Sequence, residues 1–150
     1  MSKNSDKSLK KCYNLINMKG FGINIDKATK ENSSYRKVLY TGKHTQLVLM
    51  SLKPGEEIGL ETHPDNDQFF RFETGQGKCI VDGNEYLVGD GDVLIVPAGA
   101  KHNIVNTSTA ADLKLYTLYS PPHHKDGLIR ETRAEADQNP IDFDGATTEG

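Results

Sequence analysis

No stretch of the 150-residue chain approaches the roughly 20 consecutive apolar residues that a bilayer-crossing helix needs. The opening run MSKNSDKSLKK carries charge, with no apolar stretch or small-residue cleavage site behind it, so a cytoplasmic protein with no membrane partner is expected. Cysteine is scarce: Cys12 and Cys79 are too few to staple a small secreted fold, and they read as buried or incidental thiols. Clustered positive charge is missing too. The net charge is −3, and Lys and Arg are scattered without interleaved aromatics, so nothing attracts a phosphate backbone and no nucleic-acid partner is expected. There is no repeat period, no low-complexity tract and no glycine-rich loop opening a helix, which disfavours phosphoryl-transfer and dinucleotide folds. Finally, no Ser or Cys stands beside a histidine in an elbow or triad context, which disfavours covalent catalysis.

What remains is enough chain for one domain with a core. Residues 1–34 and 123–150 read as polar extensions: the first eleven residues are too polar to bury, and ETRAEADQNPIDFDGATTEG is acidic and proline-interrupted. CYNLINMKGFGINID is more apolar and is expected to pack on the core as a short strand or arm. Between them, over 35–122, short β-type runs such as TQLVLMSL, QFFRFE, DVLIVP and DLKLYTLYS alternate with Pro-Gly, Gly-x-Gly and Asp-Gly-Asn breaks. The spacing leaves no room for intervening helices. This is the pattern of an all-β antiparallel sandwich or closed barrel of seven or more strands.

One break holds unusual chemistry. In LETHPDNDQ, strand alternation puts Glu61 and His63 on one face, and on the returning strand Gln68 shares a face with Phe70 and Phe72. If the Pro64–Asp67 turn folds the second strand onto the first, the three groups converge at a barrel mouth. His102 follows the buried-looking strand VLIVP and a Pro-Ala-Gly turn, which places a second imidazole at a rim. A carboxylate, an amide oxygen and two imidazoles suit a borderline divalent ion, Fe, Mn, Co, Ni or Zn. With Glu61 charged and Gln68 neutral, such an ion keeps about one net positive charge toward the cavity, which favours oxo- or hydroxy-acids and sugars.

These residues carry a resemblance. PGEEIGLETHPDNDQFFRFETGQG is similar to the first motif of the cupin superfamily, and GDVLIVPAGAKHNIVN to the second, with Gly91, Pro97, Gly99, His102 and Asn106 all in place. The first motif departs at two ligand positions: Glu61 stands where most metal cupins have a histidine, and Gln68 where they have a glutamate. LYTLYSPPHHKDG and neighbouring phrases resemble small single-domain cupins often labelled mannose-6-phosphate isomerase-like, a label of similarity and not of reaction. The resemblance implies an all-β double-stranded β-helix, or jelly-roll barrel, with Glu61, His63, Gln68 and His102 as metal ligands. Open edge strands in single cupin barrels often pair between chains, so a homodimer is expected.

Pro121-Pro122-His123-His124 ends the last strand and should emerge at the same end as the Pro-Ala-Gly turn. His123 or His124 is a candidate general acid/base there, since imidazole titrates near neutrality; the alternative is a solvated loop. His44 reads as surface, and Phe70, Phe72, Tyr116 and Tyr119 as core or pocket wall, with room in the pattern for one tyrosine hydroxyl to enter the cavity. The expected function is a metal-dependent isomerase or lyase acting on a sugar-like or oxo/hydroxy-acid small molecule. The alternatives are an Fe(II) dioxygenase or a non-catalytic cupin that binds a small ligand.

Overall fold

A computed structural model describes residues 17–150; the expectation for Cys12 lies outside the described residues. Residues 17–24 form an exposed arm and not a strand. Its Lys19 and Gly20 amides donate to the Glu149 carboxylate, and Phe21 stacks on Tyr40 at 5.6 Å. A short helix α1 (Ile25–Glu31) follows, started by the Asn24 side chain accepting the Lys27 N–H and supported by the Asp26–Lys30 pair at 2.9 Å.

The strands are β1 (Arg36–Thr41), β2 (Gln46–Leu52), β3 (Glu61–Thr62), β4 (Asp67–Thr74), β5 (Gly77–Val81), β6 (Asn84–Val88), β7 (Val93–Val96), β8 (Lys101–Asn106), β9 (Leu113–Ser120) and β10 (Ile129–Arg130), followed by helix α2 (Arg133–Gln138). They form two antiparallel sheets, ordered β10-β1-β2-β9-β4-β7 and β3-β8-β5-β6. This is a jelly-roll sandwich. The β5–β6 hairpin has a two-residue loop, Asp82-Gly83, with φ of 45° and 81°; both central residues left-handed is the turn whose twist matches the flanking strands.

Strand alternation sends Val48, Met50 and Leu52 of β2, Phe70 and Phe72 of β4, and Leu113 and Leu115 of β9 into the space between the sheets, where they meet Cys79 and Ile104 from the smaller sheet. Burial pushes the Cys79 thiol up to about 12, which makes it an inert packing group.

Three expectations need correction. The Pro64–Asp67 turn does not close a hairpin: β3 pairs with β8 in the small sheet, whereas β4 pairs with β7 and β9 in the large one. The turn is a corner that carries the chain between sheets, and the Pro-Ala-Gly turn is a second such corner, from β7 to β8. The two corners dock on each other, Gly99 N–H donating to the His63 carbonyl and Ala98 N–H to the Asp67 carboxylate, both at 2.9 Å. Gly99 makes its bond at φ 87°, a backbone that favours glycine. Second, VLIVP is half-buried: Leu94 and Val96 face the core while Ile95 is 65% exposed, because β7 is an edge strand with one face to solvent. Third, the sheet continues past residue 122, since β10 pairs with β1.

Candidate metal centre

β3 and β8 bring the first three groups together. Glu61 lies directly opposite His102 in their ladder, and His63 follows Glu61 by two residues, on the same face. One ligand atom from each of Glu61, His63 and His102 lies within 4.8 Å of the others. His63 and His102 are buried and Glu61 is half-buried at the edge. Their rings sit 5.2 Å apart, tilted by 51°.

The protonation pattern leaves lone pairs inward. His102 Nδ1 lies 3.2 Å from the Ala100 carbonyl oxygen. That oxygen only accepts, so the proton belongs on Nδ1 and Nε2 keeps its lone pair. Burial holds the His102 imidazole below its usual range, which favours this neutral form. Burial works to raise the Glu61 carboxyl, but the His63 and His102 imidazoles outweigh it and leave the acid below its usual value. His63 Nε2 is 3.3 Å from Glu61 Oε2, off the hydrogen-bond direction, so the two atoms are close without a hydrogen bond.

Gln68 enters from the opposite sheet. It is 3% exposed, on the inward face of β4 with Phe70 and Phe72, and its amide nitrogen donates to Thr117 Oγ1 at 3.0 Å. Its Oε1 has no partner, like Nε2 of His63 and of His102. Unpartnered buried polar atoms are costly. Unpartnered imidazole nitrogens beside a carboxylate, with an unpartnered amide oxygen on the facing sheet, fit a divalent ion with a mixed N/O ligand set.

The His123-His124 segment emerges at this end, as expected. The His123 ring lies 4.3 Å from that of His63, and His124 Nε2 shares a hydrogen bond of 3.2 Å with the Tyr119 hydroxyl. Burial, then the neighbouring His63, lowers the His123 pKa; burial sends His124 well below the usual range. Burial also pushes the Tyr119 phenol far up, so it stays protonated. Tyr119 is the tyrosine that reaches the site, its ring 5.8 Å from His63. Tyr116 is three residues away, hence on the other face, half-buried against Phe69. His44 is exposed.

Two participants escaped the sequence reading. Gln46 is fully buried and clamps the histidine loop: its Oε1 accepts the His123 and His124 amides, and its Nε2 donates to the His124 carbonyl at 2.7 Å. Arg36 lines a cavity of about 250 Å³ together with Glu61, His123 and His124. Strand parity offered a signal for Arg36, two residues before buried Val38 and opposite buried Met50. The remaining wall comes from the C-terminal extension. Ala136 of α2 is buried in the core cluster, Asp137 and the run from Asn139 to Asp142 edge the cavity, and the Phe143 amide donates to the His123 carbonyl at 3.0 Å.

A family model described as the cupin domain matches residues 48–119. The chain is 47% identical over 124 residues to the uncharacterized protein YrkC of Bacillus subtilis, covering 79% of this chain and 66% of that one. It is 28% identical over 100 residues to quercetin 2,3-dioxygenase of Bacillus subtilis, covering 67% of this chain and 30% of the enzyme. A crystal structure of a Bacillus halodurans protein, 40% identical, superposes with a TM-score of 0.79 over 82% of this chain and 97% of its own. The chain therefore spans about two thirds of the first relative and under a third of the dioxygenase.

Proposed function

The chain belongs to the cupin family, and from that premise we propose that it is a metal-dependent isomerase or lyase acting on a sugar-like or oxo/hydroxy-acid small molecule. The observation that carries the proposal is the convergence of Glu61, His63 and His102 within 4.8 Å, with unpartnered imidazole nitrogens, beside a cavity that His123 also lines. Gln68 completes the proposed ligand set through its unpartnered Oε1. Fe, Mn, Co, Ni or Zn suits these donors, and a bound ion supplies Lewis acidity toward a substrate oxygen.

The chain's own groups do the rest. The Ala100 carbonyl orients His102 so that Nε2 faces the site. Glu61, held ionised, lowers the net charge of the loaded centre. His123 stands at the cavity wall with its pKa depressed, so at neutral pH its imidazole is free to take a proton from substrate and return it. Gln46 fixes the backbone of that residue. His124, more deeply buried and hydrogen-bonded to Tyr119, holds the neutral phenol in place at the site.

Elemental analysis of protein purified without chelator, alongside Glu61→Ala, tests the centre. The native chain should carry close to one ion and the variant much less. Absence of metal from the native protein would remove the proposal, and turnover that survives chelation would remove the metal from the reaction. A second reading is an Fe(II) dioxygenase, supported by the two-His, one-carboxylate donor set and by the likeness to quercetin 2,3-dioxygenase. Oxygen uptake by iron-loaded protein across flavonols, enolisable diketones, catechols and thiols separates the two; no uptake with any of them leaves the isomerase or lyase.

A further inference from the structure

The cavity beside the candidate centre holds a positive charge, Arg36, with no direct ion-pair partner. Arg36 Nε is buried without a hydrogen-bond partner, and among the described residues no carboxylate lies within ion-pair distance of its guanidinium. The group is held in position: Cζ lies 5.3 Å from the centroid of the Tyr35 ring, which is 3% exposed and so a rigid platform. Arg130, opposite Arg36 in the β1–β10 ladder, is already occupied. Its Nε and Nη2 donate to the Asn139 carbonyl at 3.1 and 2.8 Å and its Nη1 to that of Ile129. It ties down the chain that walls the cavity, leaving Arg36 as the guanidinium available to a ligand.

The other charges do not cancel it. Glu61 belongs to the metal centre, Asp137 is engaged by Arg133 at 3.5 Å, and Asp142 sits on the His123-His124 side, its backbone bridged to His124. A guanidinium stays charged at any accessible pH, and Arg36, half-buried with its Nε shut off from water and from any partner, gains from an anion that supplies one. A carboxylate satisfies it with two parallel charge-assisted bonds, which a neutral hydroxyl or amide cannot do. The cavity, about 250 Å³, has room for a small acid that reaches from Arg36 to Glu61.

We propose that Arg36 is the carboxylate anchor of this cavity, so that the ligand of the Glu61–His63–His102 centre is a small carboxylic acid and not a neutral sugar. The proposal rests on the reading of that centre as metal-binding, and it narrows the substrate class to acids whose oxo or hydroxy group lies next to the carboxylate-bearing end. Arg36 acts in binding and selection; the proton-moving group remains His123.

Calorimetric titration of the full-length, metal-bearing protein with lactate, malate and 2-oxoglutarate, and with lactamide as the neutral counterpart of lactate, tests it. At least one of the acids should bind, and lactamide should bind about tenfold or more weakly than lactate, the difference one charge-assisted pair makes. Arg36→Gln should lower affinity for the acids by a similar factor while leaving that for lactamide unchanged, and Arg36→Lys should restore part of the loss. Elemental analysis of all three proteins should find the same metal content. Equal binding of lactate and lactamide, undiminished acid binding by Arg36→Gln, or no binding by any of the acids would overturn the proposal. If Arg36→Gln does not fold, the lactate–lactamide ratio and Arg36→Lys still decide. Arg36-dependent acid binding to protein without metal would instead refute the metal reading and leave the anchor standing.

Discussion

The space between the two sheets has an apolar half and a polar half, and β4 runs through both. On the same inward face, Phe72 and Phe70 pack against Met50, Leu115 and Ile104, while Gln68, one alternation further toward the strand's start, stands opposite Tyr119, whose ring lies 5.8 Å from that of His63. In the apolar half burial is its own reward, since each side chain removes hydrocarbon from water. In the polar half burial is unfavourable wherever a lone pair stays unpartnered, and it does so at three atoms. One half therefore stabilises the fold, and the other draws on that stability to hold ligand atoms in place.

The comparison breaks first at Phe72. Phe72→Ala should destabilise the protein by about 3–5 kcal/mol in urea unfolding, yet the folded fraction should retain its metal. Loss of metal at full folding would mean the two halves are not separable. Added divalent ion should raise the melting temperature of chelator-treated protein, worth about 2.7 kcal/mol at a hundred times Kd. His102→Ala should abolish that rise while Phe72→Ala retains it. Gln46→Ala, which strips the acceptor from the His123 and His124 amides, should cost about 1–3 kcal/mol and lower activity more than metal content.

The last effect is on pH, and the single-histidine share of it is small. His102, His123 and His124 have depressed pKa values in the folded chain, so as pH falls through about 6.5 the unfolded chain takes up protons that the folded one refuses. Their neutral forms support the fold above that value, and chelator-treated protein should lose up to about 1.4 kcal/mol per group and pH unit below it. His124→Gln should flatten the slope of melting temperature against pH between 7.5 and 5.5; an unchanged slope would show that His124 is solvated.

The sequence showed its site more clearly than its topology. Alternation alone put Gln68 with Phe70 and Phe72, and the Gly91 to Asn106 spacing marked the turn before His102, which the structure builds as a corner between the two sheets and not as a hairpin. Asn106, at the far end of β8 from that turn, is a buckle, fully buried with its amide on the carbonyls of Leu52 and Ala111. Alternation could not say that β3 and β4 belong to different sheets, because it orders the faces of one strand and is silent on its partners. The C-terminal extension read as outside the core because its composition is polar, yet buried Leu128 and Ala136, the pairing of β10 with β1 and a set of backbone hydrogen bonds seat it. Arg36 and Gln46 were missed for a related reason: a charged or amide residue at a strand's beginning reads as solvent-facing until a partner or a cavity is seen.

By itself, the sequence determined the strands, the turn chemistry between them and the residues able to bind a metal, since these depend on side-chain type and local period. Only the tertiary structure decided that Glu61 faces His102 across a ladder, that Gln68 approaches from the other sheet, and that the C-terminal segment and Arg36 close the cavity. Those facts rest on contacts between residues distant along the chain, formed where burial of the common core outweighs the entropy of bringing them together, and no local pattern records them.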